Sequence, residues 1–516
     1  VKLFDRIGTG VYVIAEMSAN HAGRLEDALR IVREAAAAGA DCLKIQTYTA
    51  DTLTLDSDKD FFRIHGGLWD GRRLHELYRE AFTPWEWHVA IRDACLENGL
   101  DFLSTPFDAT AVDFLDDLGV EFFKIASFEL VDLPLIRYAA SKGKPMIMSC
   151  GMAAADEIQD AVDACRSQGN DRIVLLKCCS EYPADLEDMN LATIADMRTR
   201  FGVPVGFSDH SMGSAADVVA VALGACVIEK HFCLSRAIKN PDSEFSMEPA
   251  EFAQMAKEVR MAAEIRGHVT YRPSDKEQKS ATFRRSIFTT RDLSAGETFT
   301  LDNLRSVRPG TGVKPAYLAD ILGRKSAGAI EGCEPLFFHH VEDRSFLLRL
   351  KTAEFCSNRL QMQGIAAGDA DCIVTWRSDE GIVRYFKNPV KATRETHDAW
   401  FARYLDDEGR FDFLVREAST GVPVGLVGIQ NIDYPTRSAE IAYLIGTEQR
   451  RGFGKEAVEA MIGFAVRRLR IRDFIAVVHV GNEASARLIE GLGFTMKDED
   501  RKDGWSTYRY RSECVL

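Results

Sequence analysis

An eight-stranded α/β barrel followed by two smaller modules is the fold class this sequence predicts. Three observations lead there. Residues 1 to about 270 repeat one rhythm of a short β-branched run, a polar turn and an amphipathic helix. The rhythm recurs eight times, the strand count of a (β/α)8 TIM barrel. A doubly wound open sheet more often has about five to seven strands and a Gly-rich first turn, whereas the first turn here reads AEMSANHAG.

The strand candidates, in order, are Val11–Ile14, Cys42–Gln46, Asp101–Ser104, Phe122–Ile125, Pro145–Ser149, Ile173–Cys178, Pro204–Ser208 and Val227–His231. Between them, stretches such as LEDALRIVREAAAAGA, DEIQDAVDACRSQG and PAEFAQMAKEVRMAAEIRG place apolar residues at helical spacing. The stretch Asp51–Thr83 exceeds an ordinary connection and reads as a functional insertion. A polar segment, YRPSDKEQKS, falls within a linker expected over 271–282. Residues 283–345 carry strand and turn signals (RRSIFTTRDLSAGETFTLDNLRSVRPGTG) and form a small β-rich module, too small for a rich active site but able to cover one. From about residue 350 to 516 the pattern becomes α+β. Its strand candidates are Phe413–Arg416, Pro423–Gln430, Ala439–Ile445 and Phe474–Val480, and its helix candidates are Glu456–Arg470 and Glu483–Gly491.

Composition narrows the function classes. Of 516 residues, 46% are hydrophobic, yet no apolar run approaches the length of about 20 residues that a bilayer requires. The opening VKLFDRIGTG lacks a signal-peptide stretch. Twelve cysteines occur without CxxC pairs, a usage expected of buried thiols in a reducing cytoplasm. A formal net charge of −14 argues against general nucleic-acid binding, so an anionic substrate must be held by local cations. A cytoplasmic protein without membrane or nucleic-acid partners is expected.

Barrels of this kind do their chemistry at the carboxyl ends of their strands. Reading those ends gives Glu16, Lys44 with Gln46, Ser104, Lys124 with Glu129 just beyond, Ser149, Cys179 to Tyr182, Ser208 with His210, and Glu229 with His231. A lone lysine among these is more often a structural ion pair, and two histidines are often unrelated. Together, two lysines, several hydroxyls, three carboxylates and two imidazoles on one rim suit an anionic substrate and a divalent metal.

The runs IAEMSANHAG, LKIQTYT, FFKIASFE, MSCGMA, LKCCSEYP, VGFSDHS and VIEKHF resemble the motifs of the sialic-acid synthase family. Those enzymes condense phosphoenolpyruvate with an amino-sugar aldehyde. The resemblance continues into 283–345, which is similar to their SAF (antifreeze-like) domain. Within the family, SDKDFFRIHGGLWDGRRLHELY and NPDSEFSMEP look most like pseudaminic acid synthases. The resemblance implies that His210 and His231 hold Mn²⁺, Mg²⁺ or Co²⁺, which polarises the aldehyde. It implies that Lys44, Gln46, Lys124, Ser149 and Ser208 bind substrate, the lysines and serines holding phosphoenolpyruvate, and that Glu16 and Glu129 move protons. Tyr182, Glu229 and Asp242 would contact the sugar. Arg308 would reach the sugar of a neighbouring subunit, making a homodimer with swapped SAF domains the working unit. Where the family carries an asparagine before its Tyr-Pro pair, this chain has Ser180, so no phosphate contact is expected from that position.

A second site is expected near the carboxyl terminus. Gln449, Arg450, Arg451, Gly452, Phe453, Gly454 and Lys455 match the Q/R-x-x-G-x-G/A turn of GNAT acetyltransferases. Such a turn lets backbone N–H groups and a helix N-terminus meet a pyrophosphate. Asn482 and Ser485, followed by GLGF, resemble that family's second cofactor motif. The resemblance implies acetyl-CoA as cosubstrate. A tyrosine common in these enzymes seven residues past the asparagine is replaced by Ile489, so Tyr508, Tyr510 or water is a candidate acid and Glu440 a candidate base. WRSDE around Trp376 and Arg377 is similar to members that acetylate the 4-amino group of UDP-amino sugars.

The sequence therefore predicts a bifunctional enzyme. One half would condense phosphoenolpyruvate with 2,4-diacetamido-2,4,6-trideoxy-L-altrose to give pseudaminic acid and phosphate. The other would N-acetylate an amino-sugar nucleotide. The alternatives are a sialic or legionaminic acid synthase with another acetyl acceptor, a metal-dependent pyruvate aldolase, and SAF and GNAT segments that act only as ligand-sensing or scaffold modules.

Overall fold

The computed structural model describes the chain apart from residues 1, 67, 272, 447–451, 501–503 and 513–516. It divides into two compact units, residues 1–270 and 271–516.

In the first unit, eight parallel strands form the barrel: β1 Tyr12–Glu16, β2 Cys42–Thr47, β3 Asp101–Pro106, β4 Phe123–Ile125, β5 Met146–Ser149, β6 Ile173–Cys178, β7 Val205–Asp209 and β8 Val227–His231. Their order is β3-β2-β1-β8-β7-β6-β5-β4, and β3 packs against β4 to close the ring. Each strand falls within a residue or two of its sequence candidate.

Strand alternation sorts the side chains into two layers. Val11, Val13, Ala15, Leu43, Ile45 and Phe207 pack outward with the helices in the main core. Tyr12, Ile14, Cys42, Phe122, Ile147, Val174, Leu176 and Val227 turn inward and fill the lower barrel, with Leu3 of the short helix Lys2–Arg6 packed among them. Two residues further along the same inward faces stand Glu16, Lys44, Lys124, Ser149, Cys178 and Glu229. Parallel register sets Glu16 beside Lys44, and Ser208 beside Glu229. The barrel interior is thus oily at one end and ionic at the other.

The same alternation explains two polar residues that do not join the rim. Asp209 and Lys230 face outward, where the Lys230 ammonium pairs with Asp209 and donates to the carbonyls of Ser211 at 2.7 Å and Gly213 at 2.9 Å. They brace the wall.

The insertion after β2 folds into the helices Ala50–Leu53 and Leu74–Ala81. Arg73 fastens it through ion pairs to Asp56, Asp58 and Glu76.

In the second unit, β9 Ser286–Thr289 and β10 Leu304–Val307 form a small antiparallel pair. An eight-stranded sheet follows: β11 Glu354–Cys356, β12 Leu360–Gly364, β13 Phe411–Glu417, β14 Pro423–Asp433, β15 Ser438–Ile445, β16 Asp473–His479, β17 Thr495–Asp500 and β18 Trp505–Arg511. Its order is β11-β12-β13-β14-β15-β16-β18-β17. Every ladder is antiparallel except β15 with β16. Ile287, Leu293, Phe299 and Leu336 of the small module share one core with Phe411, Phe413, Val427 and Met461 of the sheet module. The helix expected over Glu456–Arg470 runs from Phe453 to Phe464 and then loosens into a π turn, Ala465–Leu469.

Among the described residues no helix is long and apolar enough to cross a membrane, and the described cysteines are free thiols.

Candidate active site

At the barrel's ionic end, Glu229 is the hub. Its Oε1 accepts from Lys44 Nζ at 2.7 Å and Ser208 Oγ at 3.1 Å, and Lys124 Nζ lies 3.5 Å away. Burial alone would push its carboxyl up, but Lys124 and Lys44 outweigh that and hold it at about 2. Lys124 also donates to Ser149 Oγ at 2.7 Å. Lys44 reaches Glu16 at 3.4 Å, and Gln46 donates to Glu16 Oε1 at 3.1 Å. Burial raises the Glu16 carboxyl to about 7 against the pull of Lys44. The Glu129 carboxyl, on the turn Ser127–Glu129, is likewise raised to about 7 by burial, and its Oε2 is buried without a hydrogen-bond partner.

The two imidazoles stand above this layer with ring centroids 5.3 Å apart. His210 Nδ1 donates to the Cys179 carbonyl at 2.8 Å, so Nε2 is the ring nitrogen left to meet a ligand. Burial, His210 and Lys44 together hold the His231 pKa well below its ordinary value, so the ring is neutral. Its Nδ1 is buried with no hydrogen-bond partner. A neutral imidazole with an orphaned nitrogen, facing a ring of fixed tautomer, fits a divalent ion with two protein ligands. Among the described residues, no three His, Cys, Asp or Glu side chains are grouped to hold a metal. An ion here would complete its shell from water and substrate.

Aromatic side chains wall the space above. Tyr182 leans against His210 at a tilt with ring centroids 4.4 Å apart, and Phe245 lies 4.9 Å from His231. Trp69, from the insertion, packs 5.7 Å from Tyr182 and donates its indole N–H to the Pro241 carbonyl at 3.2 Å. Asp242 is buried, with Oδ2 accepting from the Ala19 amide at 2.9 Å.

Thus Glu16, Lys44, Gln46, Lys124, Glu129, Ser149, Tyr182, Ser208, His210, Glu229, His231 and Asp242 all occupy one end of the barrel. Arg308 lies in the second unit, exposed on the turn after β10. Ser104 turns away and bonds Thr47 Oγ1 at 2.6 Å. Sequence reasoning missed Trp69, Phe245 and Ser127, and it discounted Ser180. Ser127 Oγ accepts from the Gly151 amide at 3.1 Å, and a Cβ on Gly151 would fall against Ser180 and Ser127. The sequence signals for Trp69 were the length of its insertion and its place in the stretch SDKDFFRIHGGLWDGRRLHELY.

The second site lies in the sheet module. β15 and β16 pair only from Ser438–Asp473 to Glu440–Ile475. Beyond that, Ile441–Ile445 and Ala476–His479 are not ladder partners, so the sheet is split there. At this end Gly452, with φ of +78°, caps the helix Phe453–Phe464. That left-handed conformation favours glycine. Gly454 packs tightly too, since a Cβ there would lie 2.9 Å from Leu488 Cδ1. Phe453 is buried in the core and Lys455 is exposed. Gln449, Arg450 and Arg451 lie outside the described residues. Asn482 caps the helix Glu483–Glu490 by accepting from the Ser485 amide at 3.1 Å. The Ser485 hydroxyl bonds the Tyr443 hydroxyl, which tethers that helix to β15. Glu440 is held by Gln430 at 3.0 Å and Asn431 at 2.9 Å. Tyr508 is buried within the sheet, and Tyr510 stacks on Phe494 at 5.2 Å. Tyr443, which sequence reasoning passed over, is the hydroxyl that bonds the Asn482–Ser485 motif.

Residues 31–271 match the NeuB family model. A Campylobacter jejuni pseudaminic acid synthase is 44% identical over 321 residues, covering 62% of this chain and 94% of that protein. The chain belongs to the NeuB family. Beyond the NeuB region, residues 284–342 match the SAF domain and 359–495 the acetyltransferase (GNAT) domain. A Legionella pneumophila N,N'-diacetyllegionaminic acid synthase is 35% identical, covering 64% of this chain and 94% of its own. The crystal structure of a Chromobacterium violaceum protein designated spore coat polysaccharide biosynthesis protein E aligns with a TM-score of 0.55 and 26% identity. It covers 64% of this chain and all of that one. This NeuB-family chain is therefore a synthase of the pseudaminic and legionaminic acid type joined to SAF and GNAT domains.

Proposed function

We propose that the barrel condenses phosphoenolpyruvate with 2,4-diacetamido-2,4,6-trideoxy-L-altrose, giving pseudaminic acid and phosphate. The observation that carries this reading is the buried layer of Lys44, Lys124, Ser149 and Ser208 around Glu229, directly below two imidazoles. Two ammonium groups in a site closed to water suit a small substrate bearing both phosphate and carboxylate. Lys124 and Ser149 would hold the phosphate, with Ser127, Ser180 and the Gly151 amide beside them. Lys44, Gln46 and Ser208 would hold the carboxylate side.

A divalent ion on His210 and His231, when bound, would polarise the aldehyde oxygen as a Lewis acid. Carbon 3 of phosphoenolpyruvate then forms the new bond to the aldehyde carbon, whose oxygen takes up a proton. Water adds at carbon 2, and phosphate leaves with its bridging oxygen as that C–O bond breaks. Carboxyls at about 7 hold or release a proton near neutrality, so Glu129 and Glu16 would take the proton of the attacking water and supply the alkoxide. Tyr182, Trp69, Glu229 and Asp242 would shape the sugar subsite, and Arg308 of a neighbouring subunit would complete it in a swapped dimer.

The choice of sugar is supported by 44% identity to a pseudaminic acid synthase against 35% to a legionaminic acid synthase. A legionaminic or sialic acid product is the second reading.

For the GNAT domain we propose acetyl transfer from acetyl-CoA to the 4-amino group of a UDP-amino sugar. The split between β15 and β16, with the Gly452 turn at its end, supports a bound pantetheine and pyrophosphate. Tyr443 would serve as the acid for the departing thiolate.

His231→Ala tests the pairing of these two activities. Metal-dependent condensation should be lost while acetyl transfer persists. Surviving condensation would overturn the metal assignment.

A further inference from the structure

The second unit contains a cavity of about 330 Å³ that neither proposed reaction uses. Arg284, Arg285, Lys314, Arg467 and Arg470 line it, together with Gly310 and the turn that follows. Three separate segments supply these cations. Arg284 and Arg285 precede β9, Lys314 follows β10, and Arg467 and Arg470 lie at the end of the π turn. Among the described residues, no carboxylate lines the cavity.

Such a cluster is costly unless something compensates it. Arg470 is only 4% exposed. Its Nη2 donates to the Gly310 carbonyl at 3.3 Å, but its Nε is buried with no hydrogen-bond partner. A buried charged donor left unmade is among the more expensive features of a fold. Burial, reinforced by Arg470, Arg468, Arg284 and Arg467, brings the Lys314 ammonium down to about 8. The helix end contributes a compensating negative dipole, but of only about half an elementary charge. Arg284, Arg285 and Arg467 are exposed to solvent, so the unmet charge centres on buried Arg470 and half-buried Lys314.

A cavity of this volume falls within the roughly 300–1,000 Å³ of small-molecule sites. Guanidinium forks match phosphate oxygens bidentately, whereas a single carboxylate would leave most of the positive charge unanswered. We propose that this cavity binds a diphosphate group, free or carried by a nucleoside, clamped between the segments 284–285, 310–316 and 467–470. The inference is independent of the two reactions proposed above.

The test is calorimetric titration of the full chain with inorganic pyrophosphate and, separately, uridine diphosphate. Three proteins are compared: wild type, R284Q/K314Q, and S149A/G452E, in which the barrel rim and the Gly452 turn are disabled. Pyrophosphate should bind S149A/G452E saturably and bind R284Q/K314Q at least tenfold more weakly than wild type. Uridine diphosphate that competes with pyrophosphate marks the ligand as a nucleotide, and pyrophosphate binding alone marks it as the free ion. The single variant R284Q, at an exposed position, should weaken binding about threefold and serves if the double variant does not fold. Unchanged affinity in R284Q, or loss of binding in S149A/G452E, overturns the proposal.

Discussion

Lys44 and Glu229 lie on non-adjacent strands yet meet inside the barrel, with Nζ 2.7 Å from Oε1 and both side chains about 5% exposed. The contact links β2 to β8 across β1 and fixes the height at which the barrel turns from oily to ionic. Removing one partner of such a pair leaves a charge buried, which typically costs about 3–5 kcal/mol. Glu229 keeps Lys124 and Ser208, so Lys44→Met should sit near the lower end, about 3 kcal/mol by chemical denaturation. Condensation should fall by about 100-fold or more, the scale of losing one preorganised charge, while acetyl transfer persists.

The carboxyls of Glu16 and Glu129 set the pH response. Each is raised from its ordinary value to about 7 by burial, so the folded protein holds protons that the unfolded chain has released. Stability from these groups is therefore present below about pH 4.5 and declines as pH rises through 7. The rate profile of condensation should show an inflection near 7, and Glu129→Gln should remove its share. A profile unchanged in Glu129→Gln would exclude Glu129 as a proton carrier.

Trp69 gives the insertion a task. It leans on Tyr182 and ties to Pro241, the residue before Asp242. Trp69→Ala should raise KM for the aldehyde about tenfold and leave KM for phosphoenolpyruvate nearly unchanged. Equal rises in both would place Trp69 outside the sugar subsite.

The barrel's eight strands and most of its rim are legible in the sequence because strand period and strand-end position together dictate which side chains meet. His210, His231, Lys44 and Lys124 needed only that counting. Trp69, Phe245, Ser127 and Tyr443 were not legible, since their roles come from contacts between segments that no local period records. Asp209 and Lys230 show the converse. They stand among rim residues in the chain, but alternation turns them outward into the wall. Ser180 was discounted because it departs from a family pattern, yet its hydroxyl stands beside Gly151 and Ser127, where phosphate is proposed to bind.

The Gly452 turn is separable from the barrel chemistry. Gly452→Glu would place a carboxylate and an unfavoured left-handed residue where a pyrophosphate is expected. Acetyl-CoA binding, measured calorimetrically, and acetyl transfer should both be lost, while phosphate release from the condensation remains at the wild-type rate. Tyr443→Phe should lower the acetyl-transfer rate with little change in acetyl-CoA affinity.

The reaction proposed for this NeuB-family barrel joins phosphoenolpyruvate to a 2,4-diacetamido sugar aldehyde. Product analysis with phosphoenolpyruvate, a divalent metal, and either 2,4-diacetamido-2,4,6-trideoxy-L-altrose or N-acetylmannosamine tests it most directly. One phosphate should be released per nonulosonic acid formed with the first aldehyde, with little turnover of the second. Comparable turnover of N-acetylmannosamine, or condensation that draws on pyruvate and releases no phosphate, would contradict it.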